Sequence, residues 1–424
     1  TMIVGRFLGV DDLAAVGSTG SINFLVIGFC MGVCNGFAIP VSHKFGAGDY
    51  VGMRKYVANC AWLGLVFSVV MTVVTAILCR NILVWMKTPA NIIDGAYDYI
   101  FIIFIGIPTV YLYNIVAGVI RATGDSKTPV VFLVLSSIIN IVLDLYFIIS
   151  LHMGVAGAAF ATVLSQLASA VFVLRFLRGN RVLLRLEFEC PQVKTVCKIA
   201  LMGLSPFLII AFDNVLIISL NTVIQMYGGA EADMLLTCTT IVQSFMLIVT
   251  MPLGGITSGT GAILGFNFGA GRPDRIRSAQ KYITLLAVVQ CSIMFLFSRT
   301  LAQYFVYLFT RNESYVELTV WAIRVYTMGI IPLAVQYEVV DGFTGMGVPS
   351  VAISLSMFRK LLYLVSVFLI PVFAGVENVF YAEVVSDFGG TTMSVIVYLL
   401  LIGRIMGRCV ERAKLNGKAV EADT

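Results

Sequence analysis

The sequence predicts an all-α protein that crosses a membrane many times. Hydrophobic residues make up 59% of the 424 residues and charged residues 12%, about half of the roughly 25% that is usual for soluble domains. Apolar runs of about 20 residues, the length that a helix needs to cross the hydrocarbon core, recur along the chain. These runs do not alternate in polarity, which excludes the strands of a membrane β-barrel.

Eleven apolar stretches, separated by polar breaks, are predicted to be membrane-spanning helices. They cover residues 13–42, 56–79, 95–120, 128–150, 154–177, 199–227, 232–264, 280–309, 315–343, 348–371 and 378–403.

Basic residues are distributed unequally between the loops on the two sides of these helices. Twenty lie in one set of loops and in the C-terminal tail, whereas five lie in the other set. Because loops rich in Lys and Arg stay in the cytoplasm, we expect a multi-pass protein of the cell inner membrane with a cytoplasmic C-terminus. The net charge of +5 then reflects this topology and does not indicate a nucleic-acid partner.

No motif for nucleotide hydrolysis, acyl transfer or metal binding stands out. The chain has no G-x-x-x-x-G-K-[ST] segment and no recognisable Ser-His-Asp arrangement. Its nine cysteines are scattered through apolar stretches, and the spacing of Cys30 and Cys34 matches no common zinc pattern. We therefore expect a protein that is not an enzyme and that holds no cofactor, disulfide or structural metal.

The sequence contains an internal repeat. The segment Phe45–Gly48, Phe-Gly-Ala-Gly, recurs 223 residues later at Phe268–Gly271. Small residues in fixed register across several helices indicate a duplicated half, and because both copies start from the same side, the halves are parallel repeats. The other matching pairs are Gly32 with Gly255, Gly36 with Gly259, Thr123–Gly124 with Thr344–Gly345, and Gly154–Val155 with Gly375–Val376.

The repeat predicts two bundles of six helices, and therefore twelve helices in the full protein. The first helix of the second half, residues 199–223, has its equivalent before Thr1, so we expect that the first helix is missing and that this chain has about eleven. The predicted N-terminal lobe covers residues 1–180, the cytoplasmic interlobe linker 181–198, the C-terminal lobe 199–403 and the cytoplasmic tail 404–424.

The segment Ile120–Pro129, Ile-Arg-Ala-Thr-Gly-Asp-Ser-Lys-Thr-Pro, followed by Asn140-Ile-Val-Leu-Asp144, resembles the multidrug and toxic compound extrusion (MATE) family. The resemblance covers essentially the whole chain. It implies a secondary antiporter that exports cationic or amphipathic small molecules in exchange for Na⁺ or H⁺, by alternating access between two lobes. Its expected partners are these substrates and membrane lipid, and we expect a monomer.

The first half carries few ionisable residues within its predicted spans. Asp144 lies in the middle of one span, and Asn140 lies four residues earlier on the same helix face. Carboxylate and amide oxygens suit a hard cation such as Na⁺, and the carboxylate is equally able to hold a proton. Resemblance to archaeal-type family members places Thr162 beside these two residues and adds an aspartate from the first helix. The alternative is that Asp144 only hydrogen-bonds a neighbouring helix.

The second half carries more charge inside its predicted spans. In the repeat register, Lys360 falls on Asn140 and Glu383 on Thr162 of the oxygen-rich site of the first half, and Asp387 falls on Gln166. We predict that Lys360 pairs with Glu383 or Asp387 and closes this lobe without a free cation.

Other members of the family use carboxylates on the seventh and tenth helices. The resemblance therefore suggests a cation role for Asp213 and for Asp341 or Glu338, with a polar contact between helices as the alternative. A lipid-linked oligosaccharide or polysaccharide flippase of the same superfamily is the second functional hypothesis. Such flippases tend to have a strongly basic cavity, so the carboxylate-rich spans favour cationic cargo.

Overall fold

The structure, a computed structural model, describes residues 2–86, 88–177 and 192–422, and these ranges contain helices and turns but no strand. The chain divides into two compact units, Thr1–Ile210 and Ala211–Thr424. The predicted fold class, an all-α polytopic membrane protein, is confirmed.

In the first unit, α8 packs against α5, α6 and α7, while α3 packs against α4 and α6. A π-helical turn, Tyr146–Ser150, continues α7 without a break. The helices are α1 (Met2–Phe7), α2 (Val10–Ser18), α3 (Gly20–Gly46), α4 (Tyr50–Trp85), α5 (Ile93–Ile105), α6 (Ile107–Ala122), α7 (Lys127–Leu145), α8 (Gly154–Leu177) and α9 (Val193–Tyr227), which continues into the second unit.

In the second unit, α15 packs against α12, α16 and α17, and α16 packs along α17. The helices are α10 (Ala232–Gly259), α11 (Gly261–Gly269), α12 (Pro273–Thr300), α13 (Ala302–Val306), α14 (Glu313–Tyr326), α15 (Ile330–Gly345), α16 (Pro349–Ala374) and α17 (Tyr381–Ala422).

The helices agree with the predicted spans. Within the described ranges, nine helical stretches are long and apolar enough to cross a membrane, and the bent pair α5 and α6 makes a tenth. The remaining predicted span, 199–227, coincides with α9. Val66, Val70 and Ile77 on α4 are 57%, 51% and 73% exposed. Such an apolar outer face is what a lipid-facing helix requires.

The boundary between the compact units does not coincide with the predicted linker. Most of residues 181–198 lies outside the described residues, and α9 already begins at Val193. The unit boundary falls inside this helix, at Ile210. The lobe limits 1–180 and 199–403 and the tail 404–424 stay predictions.

Each unit breaks one long helix at an equivalent glycine. The axes of α5 and α6 differ by 43° at Gly106, and α14 is separated from α15 by the 3₁₀ turn Thr327–Gly329. Gly106 and Gly329 are 223 residues apart, the offset of the Phe-Gly-Ala-Gly repeat. A methyl group would lie 2.5 Å from Cγ2 of Val163 at Gly106 and 2.5 Å from Cβ of Asp387 at Gly329. Both halves therefore hold an interrupted helix tightly against α8 or α17 at the glycine of the interruption.

Glycines in left-handed conformations mark equivalent turns in the two halves, and they correct the predicted pairing of Gly124 with Gly345. Gly48 and Gly271 both adopt left-handed backbone conformations, with φ of 74° and 66°, which glycine enters without steric cost. Gly124, with φ of 95°, matches Gly347, with φ of 78°. Gly345 lies inside α15. Pairing Gly124 with Gly345 is therefore wrong by two residues at this turn.

Replacing Gly329 by Ala is expected to destabilise the protein by about 1–3 kcal/mol, the usual cost of overpacking, because the methyl group would collide with Cβ of Asp387. Gly254→Ala is the matched control, since a methyl group at this helical glycine meets no heavy atom within 4 Å. The control should be neutral or stabilising by up to about 1 kcal/mol. Thermal unfolding in detergent measures both, and equal melting temperatures would contradict the close approach of α17.

Candidate functional site

The Thr-Gly-Asp-Ser-Lys-Thr-Pro segment forms the turn that starts α7. The carboxylate of Asp125 accepts hydrogen bonds from the backbone N–H groups of Lys127 and Thr128 at 3.1 and 3.0 Å, and from the Thr128 hydroxyl at 2.6 Å. Burial opposes ionisation of Asp125, but these hydrogen bonds outweigh it and lower its pKa. The motif thus satisfies backbone donors of the first turn of the helix that carries the predicted cation ligands.

Serine hydroxyls hold α7 against α8. Ser136 donates to the carbonyl oxygen of Ser165 at 2.7 Å, and Ser169 donates to that of Phe132 at 2.8 Å. Hydrogen bonds of this kind join helices where water is absent. They fix the rotation of α7 relative to α8 and therefore the face on which the predicted ligands lie.

The structure brings two predicted ligands into contact and places the third one turn further along α7. Nδ2 of Asn140 lies 3.5 Å from Oγ1 of Thr162, whose hydroxyl donates to the carbonyl oxygen of Ala158 at 3.0 Å. Oδ1 of Asp144 is buried and has no hydrogen-bond partner within the described ranges. A carboxylate in this position is costly in hydrocarbon unless it holds a proton or a cation.

A π-helical turn begins two residues after Asp144, a feature that sequence reasoning missed. It runs from Tyr146 to Ser150. Single π-helical turns are rare inside α-helices, and those that do occur are often found at functional sites. Its residue Ile148 packs with Val4, Val16 and other residues of α1, α2 and α8. One side of the turn at the end of α7 therefore packs against the N-terminal helices of the first unit.

In the second unit, Arg359 is the centre of a buried ion-pair network. Its Nη1 lies 3.1 Å from Oε1 of Glu383 and 2.9 Å from Oδ1 of Asp387. Both carboxylates lie on α17, one turn apart, and the Asp387 side chain is fully buried. The guanidinium can satisfy two carboxylates at once because its donors are arranged in a planar fork.

Lys360 has a different partner from the one predicted. Its ammonium forms an ion pair with Asp213 of α9. The predicted pairing of Lys360 with Glu383 or Asp387 is therefore wrong by one residue, since Arg359 makes both of those contacts. The side chains of consecutive helical residues point about 100° apart, so Arg359 and Lys360 contact different neighbouring helices. The Lys360 side chain is 3% exposed, whereas that of Asp213 is 45% exposed.

Glu338 and Asp341 belong to a separate set of polar contacts. The Thr257 hydroxyl donates to Oδ2 of Asp341 at 2.6 Å. Oε1 of Glu338 is buried and has no hydrogen-bond partner among the described residues, and the same holds for Nε2 of Gln280. Neither carboxylate makes an ion pair with a described residue. The six predicted residues of this lobe thus divide into a network with internal cations and a pair of carboxylates without one.

The MatE family model matches residues 1–146 and 210–369 of the chain. "Probable multidrug resistance protein YoeA" of Bacillus subtilis (strain 168) is 29% identical over 285 residues, which cover 65% of this chain and 61% of YoeA. "Multidrug export protein MepA" of Staphylococcus aureus (strain NCTC 8325 / PS 47) is 24% identical over 350 residues, which cover 80% of this chain and 75% of MepA. The match to YoeA thus spans about three fifths of that relative's length.

Solved structures show the same fold. A MATE protein in the bent conformation matches with a TM-score of 0.89 at 21% identity, over 96% of this chain and 91% of that chain. An outward-facing multidrug resistance MATE family transporter matches with a TM-score of 0.88 at 22% identity, over 95% and 90%.

The family assignment agrees with the sequence motifs. The matched ranges include the Ile120–Pro129 segment, both Phe-Gly-Ala-Gly copies, Asp144 and the Arg359–Lys360 pair. Members of this family are transporters and not enzymes, as the sequence predicts for this chain. The chain belongs to the MatE family.

Proposed function

We propose that this protein exports cationic or amphipathic small molecules in exchange for Na⁺ or H⁺, by alternating access between its two lobes. Membership of the MatE family supports the proposal, and relatives named as multidrug resistance and export proteins support the class of cargo. The observation that carries it is the buried, unpartnered carboxylate oxygen of Asp144 in a membrane-crossing helix.

The coupling ion binds at Asp144 in this proposal. The Asp144 carboxylate, the Asn140 amide carbonyl and the Thr162 hydroxyl offer oxygen ligands, which hard cations prefer. A proton on Asp144 would likewise neutralise the charge of the carboxylate. No other cofactor is needed, since the free energy of transport comes from the ion gradient.

The second unit supports the proposal through its fixed cations. Arg359 and Lys360 occupy the positions where a mobile cation would otherwise neutralise Glu383, Asp387 and Asp213. Because these cations are covalently part of the chain, this network cannot release its charge during a transport cycle. A second exchangeable cation is therefore assigned to Glu338 and Asp341 rather than to Asp213.

Cationic cargo agrees better with the described charges than the anionic cargo of a flippase does. The network around Arg359 contains three carboxylates and two cations, and Glu338 and Asp341 add two more carboxylates. An excess of negative charge repels a lipid-linked phosphate and attracts an organic cation. We therefore favour drug or toxin export over oligosaccharide or polysaccharide flipping.

The membrane setting is part of the same proposal. Twenty basic residues on one side of the predicted spans support a cytoplasmic location for that side and for the C-terminus. We propose a monomer in the cell inner membrane, in contact with lipid along faces such as that of α4.

Asp144→Asn is expected to remove coupling, because a neutral amide neither needs nor retains a cation or proton. Gradient-driven transport of a fluorescent organic cation into proteoliposomes should fall by at least about tenfold, a change equivalent to roughly 1.4 kcal/mol. Imposing a Na⁺ gradient or a pH gradient separately identifies the coupling ion.

Asp94→Asn is the matched control for that experiment. Asp94 also lies in the first unit, but its carboxylate is exposed and forms a surface ion pair with Arg80 at 3.5 Å. This variant should transport at the original rate. Full coupling in the Asp144→Asn protein, with either gradient, would overturn the proposed site.

Arg359→Met is expected to destabilise the protein by about 3–5 kcal/mol, because it leaves buried carboxylates without a counter-ion. Removing one of them in the double variant Arg359→Met/Asp387→Leu should restore at least half of the loss in melting temperature. Arg80→Met is the control, since surface ion pairs contribute only about 0–1 kcal/mol. A single variant as stable as the control would contradict the network.

A further inference from the structure

The second unit contains a pocket at the end of the bundle formed by α13, α14 and the turn between them. It is open to the surface and has a volume of about 970 Å³, within the range of small-molecule sites. Its wall combines two arginines, two glutamates and two aromatic residues, which are Arg311, Arg324, Glu313, Glu317, Tyr307 and Trp321. The pocket is separate from Asp144, the Arg359 network and the Glu338 pair.

Charges of both signs line this pocket without neutralising each other. Arg311, Glu313 and Glu317 are exposed and make no hydrogen bond or ion pair with a described side chain. Arg324 donates only to a backbone carbonyl oxygen, that of Arg299, at 3.2 Å. The Arg299 guanidinium lies 4.4 Å from the centre of the Phe295 ring.

The concentration of arginine here departs from the charge pattern of the chain. The loops on this side of the predicted spans contain only five basic residues. One of them, Arg311, lines this pocket, and another, Arg299, accepts the hydrogen bond from Arg324 through its carbonyl oxygen. Loops on the translocated side are normally poor in basic residues. The position of Arg324 beside them indicates a ligand that carries negative charge.

The neighbouring segment places the pocket at the membrane interface. Tyr304, Leu308 and Phe309 are 68%, 79% and 54% exposed. Tyr is enriched where the headgroups meet the hydrocarbon, and exposed Leu and Phe side chains next to it suit the upper part of an acyl chain. A ligand in this pocket can therefore extend into the bilayer.

We infer that the pocket binds the headgroup of a zwitterionic phospholipid, of the phosphatidylethanolamine type. Arg311 and Arg324 bind the phosphate, for which the guanidinium fork is suited. Glu313 and Glu317 bind the ammonium group, and the face of Trp321 adds a cation–π contact. The two signs of charge in one pocket match the two charges of this headgroup, whereas an anionic headgroup would satisfy only the arginines.

The test measures lipid that stays bound. The protein is purified from membranes into detergent, incubated with phosphatidylethanolamine or phosphatidylglycerol, and bound lipid is counted by native mass spectrometry. The original protein should retain more phosphatidylethanolamine than phosphatidylglycerol. Arg311→Gln/Arg324→Gln should lower its retention by about tenfold, because charge-assisted hydrogen bonds to the phosphate are lost. Arg80→Gln, which changes an arginine of the first unit outside the pocket, should have no effect.

A second variant separates recognition from a structural defect. Glu313→Gln/Glu317→Gln keeps the arginines and should shift the preference toward phosphatidylglycerol, a change that misfolding would not produce. Soluble phosphoethanolamine should compete more strongly than inorganic phosphate at equal concentration. Equal retention of both lipids by the original protein, unchanged retention in the arginine variant, or equal competition by inorganic phosphate would overturn the inference.

Discussion

The cost of leaving a charge without a partner in hydrocarbon governs both units, because the chain keeps ionisable residues inside helices that cross a membrane. The second unit meets this cost internally for three carboxylates, with Arg359 placed between Glu383 and Asp387 and with Lys360 on Asp213. Glu338 and Asp341 of the same unit have no ion-pair partner among the described residues. In the part of the first unit that the structure describes, an oxygen of Asp144 has no hydrogen-bond donor. A proton or cation from solution would neutralise it, and this requirement is the link between the fold and the ion-coupled transport that we propose.

The same constraint explains how the helices are assembled. Within hydrocarbon the hydrophobic effect does not drive helix association, so close packing and hydrogen bonds between helices must do so. Ser136 and Ser169 join α7 to α8, and the glycines at the two helix breaks bring the backbone of α5–α6 and α14–α15 against α8 and α17. The approach at Gly329 also positions Asp387, so one glycine contributes both to packing and to the geometry of the ion-pair network.

Much of the architecture could be predicted from the sequence because its signals are local or periodic. Apolar length identified the spans, and the Phe-Gly-Ala-Gly repeat identified the duplication. The contact between Asn140 and Thr162 follows the family resemblance. The partner of Lys360 could not be predicted, because a repeat register gives a position along a helix and not the direction of a side chain. The π-helical turn after Asp144 left no sequence signal, since it depends on packing against α1, α2 and α8.

The two halves have related helices but neutralise their buried carboxylates in different ways. This difference bears on how a transporter can couple the movement of its cargo to an ion gradient. If both halves held exchangeable cations at equivalent positions, each would impose its own charge requirement on every cycle. Here the residues at the positions of Asn140 and Thr162 in the second half are Lys360 and Glu383, which supply a cation and a carboxylate from the chain itself. In the proposed mechanism, ion exchange at these equivalent positions is thereby confined to the first half. In the same proposal, the tethered lysine and arginine stand in place of a coupling ion, so that this copy of the site is a structural element and the other copy responds to the ion gradient.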